Sequence, residues 1–178
     1  MRLFRNLAIF SVVAGVGLLP VVTHAYTLNS WSWNSSVSGL NYRWGSNLQV
    51  SGSVARTAFE NAISDWSATP TKVYFSYNSG SSNTFNTINV ADDALYGQKY
   101  TTTQGNVILY FNANINIGNN DITTANVARS AAVHELGHGL GLADTFSSPA
   151  IMNSSRNRAV TYIPQQDDIN GVNAKYGY

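Results

Sequence analysis

"AAVHELGHGLGLADT", residues Ala131 to Thr145, sets two histidines four residues apart around a glutamate, with an aspartate farther on. Side chains at i and i+4 share one face of a helix, about 5–6 Å apart at Cβ. His134 and His138 can therefore aim two imidazole nitrogens at one ion, and zinc binds such nitrogens at about 2.0–2.1 Å. Glu135 is too near His134 along the chain to be a third ligand. It can instead reach a water at the same ion. A catalytic zinc takes three protein ligands and leaves one position open. A further helical turn would carry any later ligand away, so the chain must bend. Gly141 permits that bend, and Asp144 then offers a hard oxygen. The plainer reading is a buried helix with locally bonded histidines and a capping aspartate. Val133, Leu136, Leu140 and Leu142 surround the polar residues, where unpaired polar groups are costly. A site completed by water, with Asp144 as a bystander, stays open as an alternative.

The surrounding composition restricts the setting. Arg2 and Arg5 precede an apolar run, Leu7 to Val22, which closes with Thr23-His24-Ala25. That order predicts a signal peptide over residues 1–25, cleaved after Ala25, and one domain over 26–178. A membrane anchor is the competing reading, but Gly15, Gly17 and Pro20 interrupt a run short of the ~20 residues a span needs. Losing Arg2 and Arg5 from 10 basic residues leaves 8 against 9 acidic ones, a net charge of −1. That balance argues against nucleic acid or an anionic membrane as partner. With His24 also gone, the remaining histidines are His134 and His138. The chain has no cysteine, so a secreted form must rely on its core or on metal.

Periodicity places the motif in a fold. Leu40 to Trp44 alternates as a strand. Ser53 is a candidate N-cap for a helix in which Val54, Ala58, Phe59, Ala62, Ile63 and Trp66 recur at helical spacing before Pro70. Lys72 to Tyr77 reads as a strand, Asn78 to Asn83 as a loop and Thr87 to Ala91 as a strand. "YGQKYTTT" and "VILYF" flank Gln104 to Asn106 as a hairpin. Asn112 to Asp121, rich in Asn, Gly and Ile, reads as a loop. A helix from near Thr124 through His138 follows, ended by Gly139 and Gly141. Asp167 to Tyr176 forms a last helix after Pro164. Tyr26 to Ser38 reads as a polar extended arm. The order predicts an α+β domain with a mixed sheet.

His134 to Asp144 resembles the extended zinc signature of the metzincin peptidases, and more narrowly that of the matrixins. Three further stretches carry the likeness. "SPAIMNSS" sets Met152 at the family's Met-turn, "QQDDINGVNAKYG" is similar to the matrixin C-terminal helix, and "VARTAFENAISDWSA" is similar to the first helix. The resemblance spans most of Leu40 to Gly177. It implies a metzincin-like single domain with a twisted mixed β-sheet, an active-site helix, a Met-turn and a C-terminal helix. It implies a zinc endopeptidase acting on polypeptides, and with the signal peptide the expectation is a secreted, extracellular monomer. One catalytic zinc would be held by His134, His138 and Asp144, with Glu135 as general base. Gly141 would supply the bend, Met152 the floor under the metal, and Tyr162 a wall of the substrate pocket. Asp167 and Asp168 favour the N-terminus of the last helix, and the resemblance adds a tether to the Met-turn.

The sequence also departs from the matrixin pattern. Most matrixins have histidine where this chain has Asp144; an aspartate there is similar to snapalysin among bacterial metzincins. Ser154 takes the place of the tyrosine ligand of astacin-like relatives. No second histidine cluster and no cysteine-bearing pro-segment are found, so one zinc and no thiol latency are expected. Asp92, Asp93, Asn119, Asn120 and Asp121 could offer oxygens to Ca2+, but no EF-hand spacing supports that and solvated loops are the plainer reading. An extended substrate would add to a sheet edge at Tyr96 to Thr102. The alternative function is a secreted, zinc-stabilised binding or adhesion module without catalysis.

Overall fold

Ser53 caps its helix as expected: its hydroxyl accepts the Arg56 N–H at 3.1 Å, and helix α1 runs Val54–Ser67. The computed structural model describes residues 26–34, 37–146 and 149–177. The proposed signal peptide lies outside them. In chain order the other elements are β1 (Thr27–Leu28), β2 (Ser38–Trp44), β3 (Tyr74–Tyr77), β4 (Thr84–Ile88), β5 (Gly97–Gln104), β6 (Val107–Asn116), α2 (Ala125–Gly139), β7 (Leu142–Ala143) and α3 (Gln166–Tyr176). The domain is α+β. Its five-stranded twisted sheet has the order β3-β2-β4-β6-β5. Strands β3, β2, β4 and β6 are parallel, and β5 returns antiparallel along β6. β5 is thus an edge strand, as the hairpin reading predicts.

Two helices cover one face of the sheet. Phe59 of α1 stacks on Phe85 of β4 at 5.0 Å, and Tyr42 of β2 stacks on the same ring at 4.7 Å. Phe111 of β6 lies 6.0 Å from Phe85, and α2 comes so close to it that a Cβ on Gly139 would meet the Phe111 ring at 2.4 Å. Trp66 fastens the helices together: its indole N–H donates to the Val133 carbonyl of α2 at 3.0 Å. No helix among the described residues is long and apolar enough to cross a membrane.

Two readings of the sequence are corrected, and a third gains detail. Asn112 to Asn116 belongs to β6 and is not a loop. Asparagine is disfavoured in strands, but here each side chain has work that a solvated loop would not give it. Asn112 Oδ1 accepts the Thr84 hydroxyl at 2.6 Å, Asn114 Nδ2 donates to Gln98 O at 2.9 Å, and fully buried Asn116 bonds Val90 N, Val90 O and Leu95 O. The third strand spans Thr84–Ile88, earlier than the Thr87 to Ala91 expected. The arm after Tyr26 contains β1, which pairs antiparallel with β7, Thr27 against Ala143 and Leu28 against Leu142. Two-residue strands carry no periodicity that a sequence can display.

Candidate metal centre

Helix α2 is buried along most of its length, and its C-terminus is shaped by the bend at Gly141. That residue adopts φ +88°, a left-handed conformation that glycine takes without steric cost. The bend would leave helix-end carbonyls unpaired, and two other segments supply the donors. Trp33 Nε1 donates to Gly139 O at 2.9 Å, the Tyr176 hydroxyl of α3 to Leu140 O at 2.9 Å, and Asn29 N and Nδ2 to Gly141 O and Leu142 O at 3.0 and 2.8 Å. The N-terminal arm and α3 therefore clamp the turn that leads to Asp144.

Among the described residues, His134, His138 and Asp144 form a group whose potential ligand atoms all lie within 4.8 Å of one another. The His134 and His138 rings are 4.6 Å apart and nearly perpendicular. Asp144 reaches both, with Oδ1 3.2 Å from His134 Nε2 and Oδ2 3.7 Å from His138 Nε2. The Nδ1 atoms face backbone carbonyls, Ile151 O for His134 and Leu142 O for His138, each at 2.9 Å. Donation of Nδ1–H to these carbonyls fixes the tautomer that leaves Nε2 with a free lone pair, the arrangement metal-ligating histidines use. Burial, and next the neighbouring His134, push His138 down to about 4, so it is a neutral donor above that pH. The His134 ring beside it holds the Asp144 carboxyl below the ordinary carboxylate value. Two neutral imidazoles and one carboxylate suit a zinc ion.

Glu135 lines the same cleft, of about 600 Å³, with Gly97, Gln98, Lys99 and Trp31. It is buried, and burial raises its carboxyl to about 7 against the pull of His134 and Arg156. β5 reaches it because Gly97 has no side chain: a Cβ there would lie 2.7 Å from Glu135 Oε1 and 2.9 Å from Asn114 O. Lys99 faces the acid cluster from β5. Burial lowers its pKa, while Glu135 and Asp144 pull it back up.

Beneath the helix, Met152 is 2 % exposed, and its sulfur fills the space a Cβ on Gly137 would need, 2.5 Å away. Met152 is thus packed one residue from His138. Its turn is tied to α3 by Asp168, which accepts Ile151 N at 2.7 Å, Met152 N at 3.1 Å and Gln165 N at 2.8 Å. Burial pushes the Asp168 carboxyl up while these three donors draw it down. Tyr162 sits elsewhere: its ring lies against the Arg129 guanidinium, 5.1 Å away, and it does not line the cleft. Arg129 in turn makes a two-pronged ion pair with Asp65 of α1. The residues considered for Ca2+ hold two loops together. Asn119 Nδ2 donates to Asp93 O, Asn120 N to Asp93 Oδ1, and Asp121 accepts the Tyr96 hydroxyl.

Arg156 is a site neighbour that the sequence reading passed over. It is buried, donates to Ser130 Oγ, Ser130 O and Asn153 O, and brings Nη1 to 3.1 Å from His134 Nδ1. Nothing in its sequence context marks it; only the fold brings residue 156 behind residue 134.

In comparison with known families, the peptidase M10 model, described as matrixin, matches residues 31–177. No curated protein matches the chain.

Proposed function

The chain belongs to the matrixin family of zinc metallopeptidases, and from that premise we propose that it is a secreted endopeptidase in which Glu135 is the general base. His134, His138 and Asp144 would hold one zinc ion. Zinc bound there supplies Lewis acidity, acidifying water towards a pKa of ~7 and polarising a scissile carbonyl. The two Nδ1–H bonds to Ile151 O and Leu142 O keep the imidazoles oriented. Asp144 contributes negative charge opposite them. Glu135 removes a proton from the attacking water at a carboxylate oxygen and delivers it to the departing amine. The edge of β5 offers main-chain groups to an extended polypeptide laid along the cleft, a pose that suits cleavage within a chain. The N-terminal Arg2, Arg5 and apolar run support export.

The single observation that carries the reading is a buried carboxylate, Glu135, in the same cleft as the three-ligand group. A purely structural zinc site is closed by four ligands and needs no base, which disfavours the binding-module alternative. The test is the Glu135→Gln variant. We expect it to retain one zinc per chain by elemental analysis and to lose casein hydrolysis by about 10³-fold or more, since glutamate acts on the proton and not on the metal. Undiminished hydrolysis in that variant would remove Glu135 from the chemistry.

A further inference from the structure

Behind His134, on the side away from Asp144, lies a second cavity of about 360 Å³, lined by Tyr96, Asp121, Thr124, Arg156 and Arg158 among others. It adjoins the cleft through two contacts. Tyr96 directly precedes Gly97, which touches Glu135, and Arg156 Nη1 stands 3.1 Å from the His134 ring. Two guanidinium groups, those of Arg156 and Arg158, line the cavity. Among the described residues neither Arg156 nor Arg158 makes an ion pair within 4.0 Å. Asp121 lines the wall, but its Oδ2 is engaged by the Tyr96 hydroxyl at 2.7 Å.

The Arg158 guanidinium carbon lies over the Tyr96 ring, 3.8 Å from its centroid. Nη2 donates to Ser154 O at 3.2 Å, while Nε is buried with no hydrogen-bond partner among the described residues. A buried guanidinium N–H without an acceptor is costly. Thr124 is the N-cap of α2 here and makes no side-chain cap bond, so the positive end of that 15-residue helix adds to the field.

We propose that this cavity is a subsite for an acidic substrate side chain, so that the enzyme selects Asp or Glu at a position adjoining the scissile bond. The inference rests on the peptidase reading. A carboxylate accepts two parallel N–H bonds from a guanidinium fork. An amide of the same shape brings its own N–H groups against donors, which is the kind of mismatch that discriminates strongly.

The test uses matched peptides that differ only in Glu or Gln at the residues flanking a mapped cleavage site. With the zinc-loaded wild-type protein, kcat/KM for the Glu peptide should exceed that for the Gln peptide about tenfold to a hundredfold. Arg158→Gln should bring the ratio near one and Arg158→Lys should restore part of it. Arg156 is buried among four partners, so its replacement is not used. Equal cleavage of the two peptides by the wild type overturns the subsite while leaving the peptidase intact. Cleavage of neither overturns the peptidase reading; titration of the zinc-loaded Glu135→Gln variant with the same pair then still decides the subsite. About tenfold tighter binding of the Glu peptide sustains it, and equal binding ends it.

Discussion

Single residues in this chain are pushed far from their ordinary titration. Glu135 is held near 7 by burial, and it must be ionised to take a proton from water. Activity therefore rises with pH as Glu135 loses its proton. A cation at the neighbouring triad favours the carboxylate and can only lower the midpoint. The kcat/KM profile should climb between about pH 5 and 7, and a profile that falls over that interval would contradict the assignment. Asp168 carries a different burden. It is 1 % exposed and satisfies three backbone N–H groups. Asp168→Ala leaves those donors without their acceptor and should lower stability by about 2–4 kcal/mol, read from chemical denaturation. A loss below about 0.5 kcal/mol would mean that the turn around Met152 does not depend on this tether. At this scale His134, Glu135, His138 and Asp144 were legible because they lie within eleven residues of sequence. Gly97 and Arg156 were not: one acts by lacking a side chain, and the other meets His134 only after the chain has folded.

Elements explain the rest of the site's placement. β5 is an edge, and its residues alternate between bonding β6 and facing outward. Of the neighbours Gln98 and Lys99, paired with Asn114 and Ala113, one points its N–H to the free edge. Proline at that position should leave the fold intact and raise KM about tenfold, since a main-chain donor to the substrate is lost. Proline at the other removes a ladder bond instead and should cost stability. If neither variant changes KM while folding normally, the substrate does not add to this edge. The helices were readable because their apolar spacing and caps are local signals, as with Ser53 ahead of α1. β6 was cut short by sequence reasoning because Asn112, Asn114 and Asn116 suggest a loop, and their bonding partners lie 16 to 28 residues away. β1 and β7 exist only as a pair. Their role, holding the bend at Gly141, belongs to contacts more than a hundred residues apart.

The whole molecule has no disulfide to constrain it, since the sequence has no cysteine. Its stability rests on an aromatic core around Phe85, which lies within 6.2 Å of Tyr42, Trp44, Phe59, Phe75 and Phe111. That core supports α2, and α2 with the clamped bend brings two imidazoles and a carboxylate together. Diffraction from zinc-loaded crystals at wavelengths on either side of the zinc absorption edge tests this arrangement most directly. The account predicts one anomalous peak, contacted by His134 Nε2, His138 Nε2 and an Asp144 oxygen, with no fourth side chain on the metal. A peak elsewhere, Asp144 turned away, or a fourth protein ligand closing the site would contradict it.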